Sequence, residues 1–416
     1  MLTKFFDSAV RIRQLTDSPA GKIFEGFAQT LFQSGYARVT AQYHFRSVEH
    51  FVSWADRVGI PVANLTEQSV ERFGRHLHKC RCKRFGHRKP VDAMRGAHLF
   101  FRHLQNTGVV STGVVADTIA DPPLVTDFCN WMRQLRGVCE GTLNNYRIHI
   151  RRLLNSLGDE PEKFDARNLR RFIMKASQTC GWAAAKWCTT SVRMFLRFLI
   201  AEGKCAAGLD AAVPVLAHWH LAPLPGYLHE DEVERLIASC DPVSPVGMRD
   251  RAILLLLARL GLRAGEIVRL GLSDIDWKES CIHVFGKGRC HALLPLTHEV
   301  GCAIVEYLKH SRPRTEADAL FVSCRAPFHA FGSHCAVSVI VDRAFRRAAV
   351  TRPSRGAAHL LRHSIASSML RHGASLQDIG ILLRHRSIET TQIYTKVDVL
   401  ALREIAQPWP EEVQPC

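Results

Sequence analysis

The sequence predicts a mainly α-helical chain with one small antiparallel sheet, laid out as two helical modules followed by a mixed α+β domain. Three observations lead there. Amphipathic segments recur in one order through the first half, and residues 274–297 switch to strand-like patterning around a Gly-flanked turn. Helical periodicity then returns and continues to about residue 406.

The repeat begins with YHFRSVEHFVSW from Tyr43, matched by YRIHIRRLLNSL from Tyr146; both place apolar residues at helical spacing. LTEQSVERF (Leu65–Phe73) then pairs with FDARNLRRF (Phe164–Phe172), where Thr66 and Asp165 are candidate N-caps. FRHLQNTG and LRFLIAEG close the two copies, with Gly108 and Gly203 as helix stops. These matches define modules at 1–110 and 123–207, joined by VSTGVVADTIADPP, which has the Gly, Asp and Pro content of a connector. A second linker with Pro214, Pro223 and Pro225 leads to the third domain, 228–408. There LHEDEVERLIASC and MRDRAILLLLARLGL read as helices, and DIDWKESCIHVFGKGRCHALLPLT reads as strands with a turn at Gly286-Lys287-Gly288.

With 47% hydrophobic and 23% charged residues, a disordered or collagen-like chain is excluded. The longest apolar run, Ala252–Ala258, meets Arg259 far short of the roughly 20 residues a membrane helix needs. Asp7, Arg11 and Arg13 interrupt any signal-peptide core, so an intracellular, cytoplasmic protein is expected. The 55 basic and 39 acidic residues give a formal charge of +16. Residues 1–120 carry 17 basic against 9 acidic groups, and 229–416 carry 24 against 21, so the excess lies toward the N-terminus. An uneven positive field suits a polyanion, because each neutralised phosphate releases counterions.

The 14 cysteines are scattered through apolar segments and form no CxxC, which points to reduced, mostly buried thiols. The run His76-Leu-His78-Lys-Cys80-Arg-Cys82, with His87 after it, has metal-ligand residue types. Its CxC spacing departs from the usual zinc knuckles, and Arg75, Lys79, Arg81, Lys83, Arg84, Arg88 and Lys89 crowd it with positive charge. The expectation is therefore a basic, DNA-facing loop and no metal. Arg81, Lys83, Arg84 and Arg88 are its candidate phosphate contacts, with Arg147 and Arg151 the candidates in the second module.

Four segments of the C-terminal domain carry chemistry. In Gly261-Leu-Arg263-Ala-Gly-Glu266, an Arg at a helix start is followed one turn later by a carboxylate able to orient its guanidinium fork toward a phosphate. Lys287 sits at a Gly-flanked hairpin tip, from which an ammonium could reach a phosphate or protonate a leaving oxygen. In His359-Leu-Leu-Arg362-His363, residues 359 and 362 share one side of a helix. His359 and His363 have zinc-pair spacing, but Leu360 stands where a metalloprotease needs Glu. Finally, Ser387 is a candidate N-cap behind Arg384-His385-Arg386, placing Tyr394 on the helix that follows. Each segment alone has a structural explanation: a surface pair, a turn, a packed helix, a half-buried tyrosine.

Taken in order, GLRAGEI, VFGKG…LPL, HLLRHS and LLRHRSIETTQIYTKV resemble the tyrosine recombinase (phage integrase) family across 228–408. The second module looks like the family's core-binding domain, and the first like a duplicated core-binding or arm-binding domain. The resemblance implies two SAM-like helical DNA-binding modules ahead of an α+β tyrosine recombinase catalytic domain. It implies Tyr394 as the nucleophile of an O-(3′-phospho-DNA)-tyrosine intermediate, with Arg263 and Arg362 on the non-bridging oxygens. Lys287 would be the general acid, His359 an aid to proton transfer, His385 a phosphate ligand and Glu266 the residue that orients Arg263. Neither ATP, a metal nor another cofactor is implied. The partners are double-stranded DNA at a recombination site and further recombinase subunits in a homo- or hetero-tetramer. The role implied is integration, excision or transposition of a mobile element; the alternatives are type IB topoisomerase-like relaxation or a DNA-binding regulator without catalysis. One departure stands out: Arg384 occupies the place of the family's usual Gly, so either the turn differs or Arg384 adds a phosphate contact.

Overall fold

Thr66 and Asp165 both cap helices. The Thr66 hydroxyl accepts from the Ser69 N–H at 3.3 Å, and the Asp165 carboxylate from the Asn168 N–H at 2.8 Å. Gly108 and Gly203 follow helix ends at φ +71° and +67°, conformations that cost glycine nothing. The structure is a computed structural model that describes residues 1–82, 85, 90–111, 121–216, 226–286, 291–353, 356–385 and 387–397.

These residues form two units, one made of 1–110 with the C-terminal region from 221 onward, the other of 111–220. The N-terminal part of the first unit holds α1 (Ala9–Thr16), α2 (Gly21–Gln33), α3 (Arg38–Arg57), α4 (Glu67–His78) and α5 (Pro90–Asn106). Its core is aromatic: Phe45 and Phe100 each meet Phe24 and Phe27 edge-on, with ring centroids 5.3–5.7 Å apart. Such pairs add about 0.5–1.5 kcal/mol each beyond area burial. The second unit comprises α6 (Pro123–Arg136), α7 (Glu140–Leu157), α8 (Ala166–Thr179) and α9 (Trp182–Ala201), closed around Phe128, Phe195, Leu153 and Leu199.

The C-terminal region is built on α11. After α10 (Glu230–Ala238), α11 (Pro245–Arg259) runs through the core with Ile253 to Leu257 fully buried. A helix apolar all round must be covered all round, and α13 (His298–His310) and α15 (Ala357–Arg371) both pack on it. Among the described residues no helix is long and apolar enough to cross a membrane. Between α12 (Ala264–Arg269) and α13 lie β1 (Ile275–Asp276), β2 (Cys281–Phe285) and β3 (His291–Pro295), an antiparallel sheet in that order. Phe285 opposes His291, which sets the hairpin register; Lys287 at its tip lies outside the described residues. α14 (His334–Ala348), α16 (Leu376–Leu383) and the short α17 (Ile388–Thr391) complete the region. The sequence pattern puts Tyr394 on a continuous helix, but α17 ends at Thr391 and Tyr394 lies on the 3-10 turn Gln392–Val397 that follows.

Candidate active site

The site forms where α12, α15 and α16 converge on the turn before α12. Gly261 takes φ +56°, and a Cβ there would stand 2.7 Å from Leu383 Cδ2, so both conformation and space require glycine. Its carbonyl accepts from Arg362 Nη1, while Arg362 Nη2 donates to the Leu383 carbonyl at the end of α16. One guanidinium thus ties α15 to both neighbouring segments.

Arg263 is the N-cap of α12. Its amide donates to Glu266 Oε2 at 2.8 Å and its Nη1 to Oε1 at 2.7 Å, so the carboxylate fixes both ends of the residue. This is more than a surface pair, because Glu266 is 2% exposed. Burial opposes its ionisation, but Arg384, the Arg263 amide and the Arg263 guanidinium outweigh that and hold the carboxyl below its usual range.

Arg384 resolves the departure noted in the sequence. It caps α16 in the left-handed region at φ +53°, ψ +49°, as a glycine would. Its Nη2 donates to Glu266 Oε2 at 2.8 Å and its Nη1 to the Leu382 carbonyl at 2.8 Å. The turn keeps a glycine-like conformation, and the side chain holds a carboxylate.

Burial, then Arg263 and Arg384, push the Arg362 guanidinium below its usual range, though such a group stays protonated at neutral pH. His359 is exposed on the first turn of α15, with its imidazole lowered by partial burial and then by Arg362 and Arg263. One turn on, His363 Nδ1 lies 2.8 Å from the Tyr394 hydroxyl. Tyr394 is 1% exposed, and burial raises its phenol to about 12 against the lowering pull of Arg362 and Arg263. His385 lies parallel to the Tyr394 ring, with centroids 6.5 Å apart, and its Nδ1 is 2.8 Å from Thr391 Oγ1. Burial first, then neighbouring positive groups, bring His363 and His385 down to about 4, so both are neutral at pH 7.

The structure therefore gathers Arg263, His359, Arg362, His385 and Tyr394 at one place. Sequence reasoning missed His363 and the pairing of Arg384. The signal for His363 was present, since it follows Arg362 directly, but it drew attention only as a zinc spacing. Of the expected DNA contacts, Arg81 is exposed just beyond α4, while Lys83, Arg84 and Arg88 lie outside the described residues. In the second unit Arg147 and Arg151 both approach Asp121, at 3.1 and 2.7 Å, and Arg147 also reaches Glu140 at 3.3 Å. Those ion pairs would have to open before either arginine met a phosphate.

The Phage integrase family matches residues 226–400. The putative integrase/recombinase y4rA of Sinorhizobium fredii is 35% identical over 416 residues, covering 99% of this chain and 99% of that protein. The tyrosine recombinase XerD of Lacticaseibacillus casei is 30% identical over 283 residues, 65% of this chain and 93% of that protein. Among solved structures, XerH in a post-cleavage complex with a palindromic difH substrate aligns at TM-score 0.55 and 21% identity, over 69% of this chain and 84% of that one. A lambda integrase dimer bound to a COC' core site aligns at TM-score 0.53 and 18% identity, over 70% of this chain and 98% of that one. These two likenesses bear on fold, which agrees: mostly helical, with a small three-stranded antiparallel sheet. With y4rA matched over nearly all of both sequences, the chain belongs to the tyrosine recombinase (phage integrase) family of DNA strand-exchange enzymes.

Proposed function

We propose that this chain is a site-specific recombinase that cuts and rejoins double-stranded DNA through a 3′-phosphotyrosine on Tyr394, in integration, excision or transposition of a mobile element. The observation that carries this reading is the Tyr394 hydroxyl, hydrogen-bonded to a neutral histidine beside the two guanidiniums of Arg263 and Arg362. A phenol held near 12 needs its proton removed as it attacks, and His363 Nδ1 is placed to accept it. The Tyr394 oxygen bonds to phosphorus and the P–O5′ bond breaks. A 3′-phosphotyrosine and a free 5′-hydroxyl result, the leaving oxygen taking its proton from a general acid, which we assign to Lys287. His359 assists proton transfer and His385 hydrogen-bonds the phosphate.

Charge supports the assignment. Arg263, Arg362 and Arg384 against Glu266 leave a net +2 among the described groups, with His363 and His385 neutral. A phosphodiester attacked by a phenolate approaches two negative charges, so the site is complementary to the transition state more than to the substrate. The bond energy is kept in the phosphotyrosine, so rejoining needs neither ATP nor a metal. Exchange between two duplexes requires four such sites, hence a homo- or hetero-tetramer on DNA. Residues 1–110 and 123–207 serve as DNA-binding modules and 228–408 as the catalytic domain, acting in the cytoplasm.

Covalent trapping tests this. Nicked duplexes taken from the ends of the locus encoding the chain are incubated with wild type and Tyr394→Phe, without metal. A denaturant-resistant adduct in wild type alone is expected. An adduct that persists in Tyr394→Phe, or tight binding with no adduct in wild type, would remove Tyr394 from the chemistry.

A further inference from the structure

Four metal-ligating side chains meet in the N-terminal part of the first unit, away from the site above. His50 comes from α3, His76 from the last turn of α4, and Cys80 and Cys82 from the segment directly after it. Their ligand atoms all lie within 4.8 Å of one another. His50 Nε2 is 3.4 Å from His76 Nε2 and 3.4 Å from Cys80 Sγ, and Cys82 Sγ is 3.7 Å from His76 Nε2.

The nitrogen–nitrogen separation discriminates between two explanations. A hydrogen bond between two imidazole nitrogens closes to about 2.9–3.0 Å. Zinc bonds of about 2.05 Å to nitrogen and about 2.3 Å to sulfur, at tetrahedral angles, set ligand atoms about 3.3 Å (N to N) and about 3.6 Å (N to S) apart. The His50–His76 separation is longer than a hydrogen bond and close to the tetrahedral value, and the two nitrogen–sulfur separations are compatible with the tetrahedron. We propose that His50, His76, Cys80 and Cys82 form a structural zinc site.

The surroundings fit that assignment. Basic neighbours oppose a bare cation, which together with the CxC spacing is why the sequence points to no metal. Two thiolates and Zn²⁺ sum to zero, however, so the loaded site carries no net charge. Arg57 Nη2 lies 3.0 Å from Cys82 Sγ, and the Cys82 amide donates to Cys80 Sγ at 3.4 Å, both favouring thiolates. The His50 ring is stacked on Phe85 with centroids 4.6 Å apart and meets Phe73 edge-on at 5.2 Å, which fixes its orientation. Four protein ligands leave no position for water or substrate, so the metal is structural, not catalytic. On binding, two thiol protons leave to solvent and two S–Zn bonds form, so affinity falls as pH falls. The metal joins the chain beyond α4 to α3, directly ahead of the basic run. The sequence singles out His76, Cys80 and Cys82 but not His50, which lies 26 residues before His76 on another helix.

The test is zinc content of the untagged full chain after gel filtration, measured by mass spectrometry of the metal. About one zinc per chain is expected, falling well below half in Cys80→Ser and His50→Gln and unchanged in Cys205→Ser. Cobalt substitution should give a sulfur-to-cobalt charge-transfer band that Cys82→Ser weakens. Should a variant misfold, wild type stripped by chelator and reloaded decides: its Tm should fall on stripping and return with zinc alone. Zinc absent from wild type with Tm insensitive to added zinc overturns the proposal. So does zinc retained at wild-type level in both ligand variants.

Discussion

Replacing Arg384 by Gly and by Ala separates two opposing terms at one residue. The left-handed backbone costs an L-residue about 1–2 kcal/mol and glycine nothing, so the backbone term favours both Gly over Arg and Gly over Ala. Against it stands the pair with Glu266, whose partners are 10% and 1% exposed at the side chain. Removing one partner of a buried pair costs about 3–5 kcal/mol. Here Glu266 keeps Arg263, so about 2 kcal/mol is the better figure. Arg384→Gly should therefore destabilise the region by about 0–1 kcal/mol and Arg384→Ala by about 2. Native-state hydrogen exchange of amides in α15 and α16 reads this locally, without assuming that the whole chain unfolds in one step. If Arg384→Gly is more stable than wild type, backbone strain exceeds the ion pair and the account of Glu266 as the hub fails. If Gly and Ala behave alike, the strain is absent.

Three further outcomes are expected. His363→Phe should slow single-turnover cleavage by about 10²–10⁴-fold, the usual weight of a general base, while leaving DNA affinity unchanged; equal rates would take the proton elsewhere. Stability should fall as pH is lowered from about 6.5 to about 4, read as Tm in a pH series. In that window the unfolded chain protonates His363 and His385 while the fold keeps them neutral, so the unfolded state binds more protons and stability rises with pH. Changing Arg81, Lys83, Arg84 and Arg88 together to Ala should weaken DNA binding and lower the slope of log K against log salt by about 3–4 if all four meet phosphates. An unchanged slope would place that run off the DNA.

How much was legible in the sequence follows from what each feature depends on. Helix starts at Thr66 and Asp165 and stops at Gly108 and Gly203 are local events, and the sequence carries them in full. The arginines, histidines and tyrosine of the site were found by order and local context. Their joining was not visible, because the Gly261 carbonyl meets Arg362 across 101 residues and Arg384 across 123. Taken singly, Tyr394 reads from its sequence context as a half-buried packing residue. Full burial against His363 depends on α15 and the turn after α17 meeting in space, which neither segment encodes alone. The metal cluster was legible only in part: His76, Cys80 and Cys82 stand in one run whose CxC spacing and positive charge argue against a metal, while His50, which completes the four, is distant in sequence.

Burial of Tyr394 has an energetic consequence for the nucleophile role proposed for it. In that role, a phenol at 1% exposure has to be carried to the phosphate by movement of its turn. Burying a large side chain is worth about 1.5–3 kcal/mol, and a shift that keeps the hydroxyl within reach of His363 loses no hydrogen bond, so the withdrawn state is favoured by about that much. That is a factor of roughly 10–10² in population, which contacts made only on DNA must offset. The four-residue α17 is suited to such movement, since a helix that short has little stability of its own. Arg263, Arg362 and Glu266 are held by hydrogen bonds to the α12 turn and to α16, independent of Tyr394. Under the proposed mechanism, the charge complement for the transition state is thus assembled independently of Tyr394, and one short segment is what would move to complete the site.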